Sequence, residues 1–526
     1  MPEPTSTLYE SGRVLSPGDP AATALLVRGG AIAWVGSDPA PHRDAADEVV
    51  DLEGALVLPA FVDAHVHTTS TGLALTGLDL TGSSSLLDCL DRVEKAARSS
   101  RGRVLLGHGW DETTWPEQRP PTRQELDRAS YGGVVYLSRV DVHSAVVSSA
   151  LLATAPEARG EPGFDDSGHL TRDAHHVVRG VARESVSPEQ RRSVQRAALR
   201  RAASLGIGCV HELAGPDISS LEDLRALQEW VAEEPGPAVV AYWGQLGDAG
   251  IALAAQLGTA GAAGDLFADG SIGSHTAFLR EPYADADHAG HGYVDAATVR
   301  DHVTGCTRAG LQAGFHAIGD GALAEIGTGL ALAAAELGDG PLRAARHRVE
   351  HVEMPSPEVV ATFARLGVVA SVQPAFDRLW GGENGMYAQR LGRERALTLN
   401  PFAAMRDAGI VLAFGSDSPV TPVDPWGSVL AAVRHHTPGS GLSMREAFEA
   451  HTRGGWLAAK RDADGVLTAG APATFAVWDV GGHAGSGGSS SGDGGSVDVL
   501  PTPDLLAEAP PACRRTVVRG RTVHAA

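Results

Sequence analysis

Residues 61–67 read FVDAHVH, an apolar run that ends with two histidines two positions apart. Side chains alternate between the faces of a strand, so His65 and His67 point the same way if this run is a strand. Two imidazoles on one face can bind one divalent ion. The pair alone is equally typical of hydrogen-bonded structural histidines, so its meaning depends on the rest of the chain.

Seven similar apolar runs follow, each closed by polar residues and followed by a helix-like stretch rich in Ala, Leu and Arg. They are GIGCVHE (206–212), AVVAYWG (238–244), DLFADG (265–270), LQAGFHA (311–317), HRVEHVE (347–353), VVASVQP (368–374) and VLAFGSDSP (411–419). Apolar strands that alternate with helices indicate a parallel sheet covered by helices. Eight such units predict an α/β fold, a (β/α)8 TIM barrel, with its site at the carboxyl ends of the strands.

The two ends of the chain show a different pattern, with short β-prone runs separated by turns. We expect residues 1–57 and 465–526 to form one small β-sandwich, with a Gly/Ser-rich surface loop at 481–496. We expect residues 58–464 to form the barrel. The segment from about residue 80 to about residue 200 is too long for a simple crossover between two strands, so we expect a lid-like insertion after the first barrel strand.

Composition narrows the class of protein. A formal net charge of −21 argues against nucleic acid and anionic membranes as partners. The four cysteines form no CxxC pair, which favours a reduced compartment. No signal peptide or membrane-length apolar run is seen, so we expect a cytoplasmic protein that acts on a small molecule.

Later strands end in further candidate ligands. His316, His351 and Asp417 each close one of the predicted strands. With His65 and His67 they would converge on one rim of the barrel. Burying so many polar groups costs free energy unless a metal or a hydrogen-bond network satisfies them. The sequence therefore predicts a metal site made of these five residues.

The order of these motifs resembles the amidohydrolase superfamily, and within it the YtcJ-like branch of amidohydrolase family 3, which includes N-substituted formamide deformylases. The matching segments are LPAFVDAHVH, GHGWDETTW, RVDVHSAVVSSAL, FADGSIGSHTAFLREPYAD, FHAIGDGAL, RHRVEHVE, VVASVQP and FGSDSPVTPVDP. The resemblance implies a metal-dependent barrel flanked by a small β-sandwich.

One position departs from that family. Many relatives carry a carbamylated lysine that bridges two metals, four residues before the Asp-Gly of the fourth-strand motif, where this chain has Asp265. Aspartate is much shorter, so we expect Asp265 to be a polar residue that is not a ligand. The resemblance then implies one ion rather than two, and zinc suits these ligands best, although iron and manganese stay open.

The resemblance also suggests roles in catalysis. Asp417 would act as general base towards the metal-bound water and then as general acid towards the leaving nitrogen. His351 would lie beside that water and stabilise the charge that develops.

Pocket residues are expected from the insertion and from the fourth-strand motif. The main candidates are Trp110, Asp111, Arg139, His143 and Asp269, and the secondary ones are Trp115, Asp141, Ser274 and His275. For Trp110 and Trp115, buried packing inside the insertion is the more common alternative to contact with the substrate. For Arg139, Asp141 and His143, a structural ion pair and a substrate clamp are both open. Cys209, His211 and Glu212 follow the second strand, where we expect Cys209 to pack and either neighbour to line the pocket.

The leading hypothesis is hydrolysis of a non-peptide C–N bond in an N-substituted formamide or similar amide. Three alternatives stay open: deamination or ring opening of a heterocycle, ester or phosphoester hydrolysis, and a metal-binding barrel that has lost catalysis. The retention of Asp417 speaks against the last. A homodimer is the usual expectation for related barrels.

Overall fold

The computed structural model describes residues 6–100, 104–479 and 499–526. The predicted loop at 481–496 lies outside the described residues. Six strands and one short helix precede the first barrel strand, as β1 (Ser6–Glu10), β2 (Arg13–Val14), β3 (Ala24–Arg28), β4 (Ala31–Gly36), α1 (Ala40–Arg43), β5 (Glu48–Asp51) and β6 (Leu56–Pro59).

The first six residues of FVDAHVH form the first barrel strand, and all six are buried, as expected for a strand of a parallel sheet that is covered on both faces. The strand continues directly into a helix that starts after His67. These two elements are β7 (Phe61–Val66) and α2 (Thr68–Thr76).

The insertion has secondary structure of its own. Its strands form a five-stranded sheet, and two hydrophobic clusters fill the space between this sheet and its helices. Its elements are β8 (Leu78–Asp79), α3 (Leu86–Ser100), β9 (Leu105–Trp110), α4 (Arg123–Ala129), β10 (Val135–Arg139), β11 (Ser144–Val147), α5 (Ser149–Leu152), β12 (His169–Thr171), α6 (Arg172–Glu184) and α7 (Pro188–Ser204), with 3₁₀ turns at Glu112–Thr114 and Pro156–Gly160.

The chain then alternates parallel strands with helices. The strands are β13 (Ile207–Ala214), β14 (Ala238–Trp243), β15 (Gly261–Ala262), β16 (Gln312–Ala317), β17 (Arg348–His351), β18 (Val369–Val372) and β19 (Leu412–Phe414). The helices are α8 (Leu221–Glu233), α9 (Gly247–Leu257), α10 (Ala296–Arg308), α11 (Asp320–Leu337), α12 (Asp339–Ala345), α13 (Pro357–Leu366), α14 (Pro374–Trp380), α15 (Met386–Leu391), α16 (Arg393–Ala396), α17 (Phe402–Asp407), α18 (Pro425–Val433), α19 (Met444–Ala450) and α20 (Arg453–Ala458).

The parallel strands follow the chain order but lie in two sheets, β14-β13-β7 and β15-β16-β17-β18-β19. One parallel bridge, between Val66 and Ser418, joins β7 to the segment after β19, and the Asp417 N–H donates to His65 O at 2.8 Å. Between β14 and β15 the Ala260 N–H donates to Ala241 O at 2.8 Å. Over the described residues, the ladder is therefore not closed as the sequence predicts, although the strand order and direction agree.

The fourth strand differs from the prediction. The regular pairing lies at Gly261–Ala262, whereas residues 265–270 keep only one bridge, between Phe267 and His316. Gly264 has a φ of +117°, a conformation open to glycine, and it turns the chain out of the ladder. Asp265 and Asp269 consequently lie on an irregular segment.

The last elements return to the first ones. Strand β20 (Phe475–Asp479) pairs with β6, and α21 (Pro503–Glu508), β21 (Ala512–Val518) and β22 (Arg521–Ala525) complete the chain. The sheets β4-β3-β1-β5 and β2-β6-β20-β21-β22 share one hydrophobic cluster, to which both ends of the chain contribute. No helix in the described part of the chain has both the length and the apolar character needed to cross a bilayer.

Candidate metal centre

Three buried residues form a tight group after the first and last barrel strands. His67 Nε2 lies 3.2 Å from Asp417 Oδ1, and His65 Nε2 lies 3.3 Å from the same oxygen. The strands are parallel, so their carboxyl ends bring these residues to one edge.

Asp265 lies among all four histidines. Its carboxylate oxygens lie 3.4 Å from His65 Nε2, 3.0 Å from His67 Nε2, 3.7 Å from His316 Nδ1 and 3.8 Å from His351 Nε2. These contacts define two overlapping groups of metal-ligand atoms, which share Asp265. The first is His65, His67, Asp265 and Asp417, and the second is Asp265, His316 and His351.

The facing atoms have no other partner. The buried atoms without a hydrogen bond include His65 Nε2, His316 Nδ1, His351 Nε2, Asp265 Oδ1 and Asp417 Oδ1. Buried polar atoms are rarely left unpaired, because each lost hydrogen bond costs about 1–3 kcal/mol. Imidazole nitrogens and carboxylate oxygens that converge in this way fit a divalent cation.

The opposite nitrogen of each ring is held by the protein. His65 Nδ1 lies 2.9 Å from Glu350 Oε2, His67 Nδ1 lies 3.2 Å from Leu213 O, and His351 Nδ1 lies 2.8 Å from Gln373 Oε1. These acceptors hold the proton on Nδ1, which leaves the Nε2 lone pair free to bind a cation.

His316 is oriented the other way round. Its Nε2 lies 3.2 Å from Gly270 O, so its Nδ1 faces Asp265. His65, His316 and His351 therefore each present an unpartnered nitrogen to the same space, and His67 Nε2 points there too, 3.0 Å from Asp265.

Two supporting residues were missed by the sequence analysis. Glu350 is fully buried and is held by Arg348, whose Nε donates to Glu350 Oε1 at 2.5 Å. Gln373 directly follows β18, and its Oε1 accepts a hydrogen bond from His351 Nδ1. The alternation in RVEH, which puts Arg348 and Glu350 on one face of β17, is the sequence signal that could have identified this pair.

The electrostatics of the group favour positive charge. Burial lowers the pKa of His67, but hydrogen bonds and charge interactions with Asp265 and Asp417 raise it overall to about 9. Burial raises the pKa of Asp417, but the neighbouring His65 and His67 bring it below its usual range. Two ionised carboxylates at the centre therefore attract cations, whether these are protons or a metal ion.

The backbone is strained at two of these residues. His351 has a φ of +72° and Asp417 a φ of +53°, the left-handed region that side chains rarely adopt. Such conformations cost about 1–3 kcal/mol and cluster at functional sites.

A cavity of about 330 Å³ opens beside the group. His316, His351 and Asp417 form its floor, and the insertion contributes Asp141 and His143. The remaining wall contains the polar side chains of Ser271, Glu353 and Tyr387 but is largely apolar, with Ile272, Ile318, Phe376, Trp380, Met386 and Val420. Burial, helped by the charge of His316, lowers the pKa of His143 to about 3, so this ring is neutral.

The predicted pocket residues fall into different surroundings. Trp110 is fully buried in the core of the insertion, and its Nε1 donates to Leu137 O at 2.8 Å. Arg139 is 2% exposed and forms ion pairs with Asp111, Glu112 and Asp141 at 3.0, 2.9 and 2.7 Å, an arrangement that favours the structural ion pair over the substrate clamp.

Asp269 is fully buried and accepts the backbone N–H groups of Phe278, Ile318 and Gly319 at 2.8–3.0 Å. Burial raises its pKa to about 7. It therefore anchors loops next to the cavity.

The minor candidates also have partners. Trp115 Nε1 donates to Ser83 O, Ser274 Oγ donates to Asp141 and His275 Nε2 lies 2.9 Å from Asp285. Glu212 accepts the Thr68 N–H at 2.8 Å, His211 contacts Arg348 and Cys209 is buried in a hydrophobic cluster, as expected for that residue.

Comparison with known proteins identifies the class. A family model described as the amidohydrolase family matches residues 48–524, which is most of the chain. The chain therefore belongs to the amidohydrolase family, whose members share a TIM-barrel-type α/β fold. A solved structure of an uncharacterized metal-dependent hydrolase from Pyrococcus furiosus is similar, with a TM-score of 0.70 and 26% identity over 90% of this chain and 98% of that one.

Three curated relatives are similar in sequence. The protein LONG AFTER FAR-RED 3 of Arabidopsis thaliana is 29% identical over 80% of this chain and 76% of its own length. The putative amidohydrolase YtcJ of Bacillus subtilis (strain 168) is 28% identical over 82% and 85%. The N-substituted formamide deformylase of Arthrobacter pascens is 30% identical, over 32% of this chain and 31% of its own length. The family, the structural neighbour and the His/Asp group together indicate a hydrolase that uses a divalent metal.

Proposed function

We propose that this chain hydrolyses a non-peptide C–N bond, in an N-substituted formamide or a similar small amide. The observation that carries the proposal is the set of unpartnered imidazole nitrogens and carboxylate oxygens at the floor of a small, largely apolar cavity. The partial similarity to the N-substituted formamide deformylase supports this bond type.

His65, His67, His316, His351 and Asp417 would hold the metal, and to these five we add Asp265. From its short side chain we expected Asp265 not to be a ligand, but its contacts with all four histidines support a ligand role. Zinc is the ion we favour, because imidazole and carboxylate ligands suit it. When bound, such an ion lowers the pKa of a water ligand to about 7 and so supplies hydroxide at neutral pH.

Asp417 is the proposed general base and acid. Its Oδ1 has no hydrogen-bond donor, it lines the cavity and its lowered pKa keeps it ionised at neutral pH. It can accept the proton of the attacking water and then deliver it to the leaving nitrogen. His351 also lines the cavity. Where its Nε2 carries a proton instead of holding the metal, it would donate a hydrogen bond to the negative charge that develops on the amide oxygen.

The apolar wall would bind the substituent on nitrogen. Phe376 and Trp380 have ring centroids 5.0 Å apart and line one side of the cavity. His143, which is neutral, lines the side that the insertion contributes and can exchange a hydrogen bond with the amide. The insertion would then act as the lid that the sequence predicts.

A substrate screen tests the proposal. Purified protein loaded with zinc is incubated with N-benzylformamide, N-butylformamide, N-benzylacetamide and heterocyclic amines, and released amine, formate and ammonia are measured. We expect amine and formate from the formamides, with N-benzylformamide preferred because its ring fits the aromatic wall. Ammonia released from heterocycles alone would contradict the proposal and favour a deaminase.

A further inference from the structure

A second cavity, of about 570 Å³, lies between α2, the insertion sheet and α6. At two places its lining residues are neighbours along the chain of residues that line the catalytic cavity. Val142 lines the second cavity and the next residue, His143, lines the first, while Pro419 lies between Asp417 and Val420 of the first. The walls of the second cavity are mostly apolar and include Leu73, Leu78, Leu106, Val142, Ala182 and Pro419.

Two arginines of α6 enter this apolar cavity. Arg179 and Arg183 both line it, and they are four residues apart, so they lie on one face of the helix. Like charges at this spacing repel each other. Burial together with the charge of Arg179 lowers the pKa of Arg183 to about 10, and the residue still carries its charge at neutral pH.

Arg179 is 5% exposed and its hydrogen bonds are incomplete. One guanidinium nitrogen donates to Asp217 O and another to Val142 O, at 3.5 Å for the second, whereas the buried Nε has no partner. Both acceptors are neutral backbone carbonyls, so they do not compensate the positive charge.

Arg183 also lacks a carboxylate. Its Nη2 donates to Ser70 Oγ at 3.2 Å. The acids that act on it through space are already engaged: Asp223 with Arg191 at 3.0 Å, and Glu212 with the Thr68 N–H at 2.8 Å. Among the described residues, no carboxylate oxygen lies close enough to the guanidinium group of Arg179 or Arg183 to form an ion pair, which requires 4.0 Å or less. The nearby acids pair with other side chains, Asp217 with His176 and Asp223 with Arg191.

The lack of a paired carboxylate among the described residues contrasts with the composition of the whole chain, which has 64 acidic and 43 basic residues. A buried charge without a counter-ion is costly, and one whose partner arrives with a ligand becomes a binding site. The other base in the cavity wall, His108, has its pKa lowered by burial, so the two guanidinium groups carry the positive charge.

We propose that this second cavity is an anion subsite that binds the carboxylate of an amphipathic small molecule, with the carboxylate on Arg179 and Arg183 and the apolar body against the walls. The carboxylate belongs either to the substrate, in which case the inference rests on the proposed function, or to a separate ligand.

Binding of 4-phenylbutyrate to the zinc-loaded protein tests the subsite, measured by titration calorimetry. The neutral 4-phenylbutyramide is the matched probe. We expect the acid to bind at least about tenfold more tightly than the amide, because a hydrogen bond to a charged group contributes about 1.5–3 kcal/mol. Equal affinities would overturn the subsite.

Variants locate the binding. Arg183→Met should weaken binding of the acid at least about tenfold, and Arg183→Lys should retain part of it because the charge remains. Arg200→Met, an exposed arginine of α7, should bind the acid as the wild type does. Circular dichroism confirms that each variant is folded. Unchanged binding of the acid by the folded Arg183→Met variant would overturn the assignment.

Kinetics separate the two sources of the carboxylate. N-formyl-leucine is compared with the neutral N-formyl-leucinamide. If the carboxylate belongs to the substrate, Arg183→Met lowers the ratio of kcat/KM for the acid over the amide about tenfold. An unchanged ratio, with binding of 4-phenylbutyrate still dependent on Arg183, assigns the subsite to a separate ligand. Arginine-dependent binding without hydrolysis of any formamide would overturn the proposed function and leave the subsite standing.

Discussion

The residues of the metal group differ in how far their positions can be predicted from the sequence. His65 and His67 stand in one short strand, so their spacing alone puts them on one face. Asp265 comes from an irregular segment that contacts four histidines of three strands or strand ends. Neither spacing nor residue type indicates those contacts, since they exist only when distant parts of the chain meet.

The role proposed for Asp417 is tested by Asp417→Asn. Asparagine cannot accept the proton of the attacking water, so kcat should fall about a hundredfold to ten-thousandfold. The control is Asp407→Asn, an exposed residue of α17 that should leave turnover unchanged. Steady-state kinetics on the best formamide measure both variants, and turnover of Asp417→Asn close to the wild-type level would rule the role out.

The number of bound ions is tested by elemental analysis of the wild type and of Asp265→Asn. The sequence predicts one ion per chain, and two would mean that Asp265 bridges the two overlapping groups. In either case we expect Asp265→Asn to lose metal, because the amide lacks the negative charge. Asp287→Asn, at an exposed position, is the control. Full metal content in Asp265→Asn would argue against a ligand role.

At the level of elements, the insertion forms a sheet and helices of its own, and the sequence left two roles open for its tryptophans, contact with the substrate or packing inside the insertion. The GHGWDETTW motif gave Trp110 as a pocket residue. The side chain instead has 0% exposure and packs near Trp115 and His169 in the core of the insertion. A tryptophan in a motif indicates burial, but only the packing of β9 against its neighbours decides which surface is buried.

Trp110→Ala tests this placement. Removing a buried aromatic side chain should lower the free energy of unfolding by about 3–5 kcal/mol and leave KM unchanged. Trp380→Ala, whose ring lines the catalytic cavity, should raise KM for aromatic formamides. Urea unfolding and steady-state kinetics measure both variants. If Trp110→Ala raised KM and kept its stability, the pocket role predicted from the sequence would be right.

At the scale of the whole molecule, buried histidines tie distant elements together. His347 Nδ1 accepts the Ala313 N–H at 2.9 Å, and burial lowers its pKa to about 3. His451 Nδ1 donates to Val62 O at 3.0 Å, and burial lowers its pKa to about 4. Both rings are neutral in the folded chain and bind protons near pH 6.5 once it unfolds.

The folded protein should therefore lose stability as the pH falls from about 6.5 towards 4, because the unfolded chain binds more protons in this range. Each pKa unit of difference contributes about 1.4 kcal/mol. His347→Gln should be less stable at pH 7.5 but should show a shallower loss between pH 6.5 and 5, measured by urea unfolding at equal metal loading. Parallel slopes for the variant and the wild type would contradict this.

The homodimer, the cytoplasmic location and the domain bounds stay predictions. Strand order along the chain followed from hydrophobic periodicity, because each buried parallel strand needs its own apolar run. The fourth strand pairs regularly at Gly261–Ala262 and not at the predicted residues 265–270. The sequence does not show this difference, because the positive φ of Gly264 depends on the backbone that surrounds it.

The sequence by itself determined the family, the alternation of strands and helices, and the four histidines and Asp417 at strand ends. Local spacing and short motifs carry that information. Only the tertiary structure decided that Asp265 meets the histidines, that Glu350 and Gln373 fix two of the rings, and that Arg139 is consumed by ion pairs. Those facts depend on distances between residues far apart in the chain. The pair His65 and His67 forms a possible metal site only together with Asp265 and Asp417, which come from distant parts of the chain.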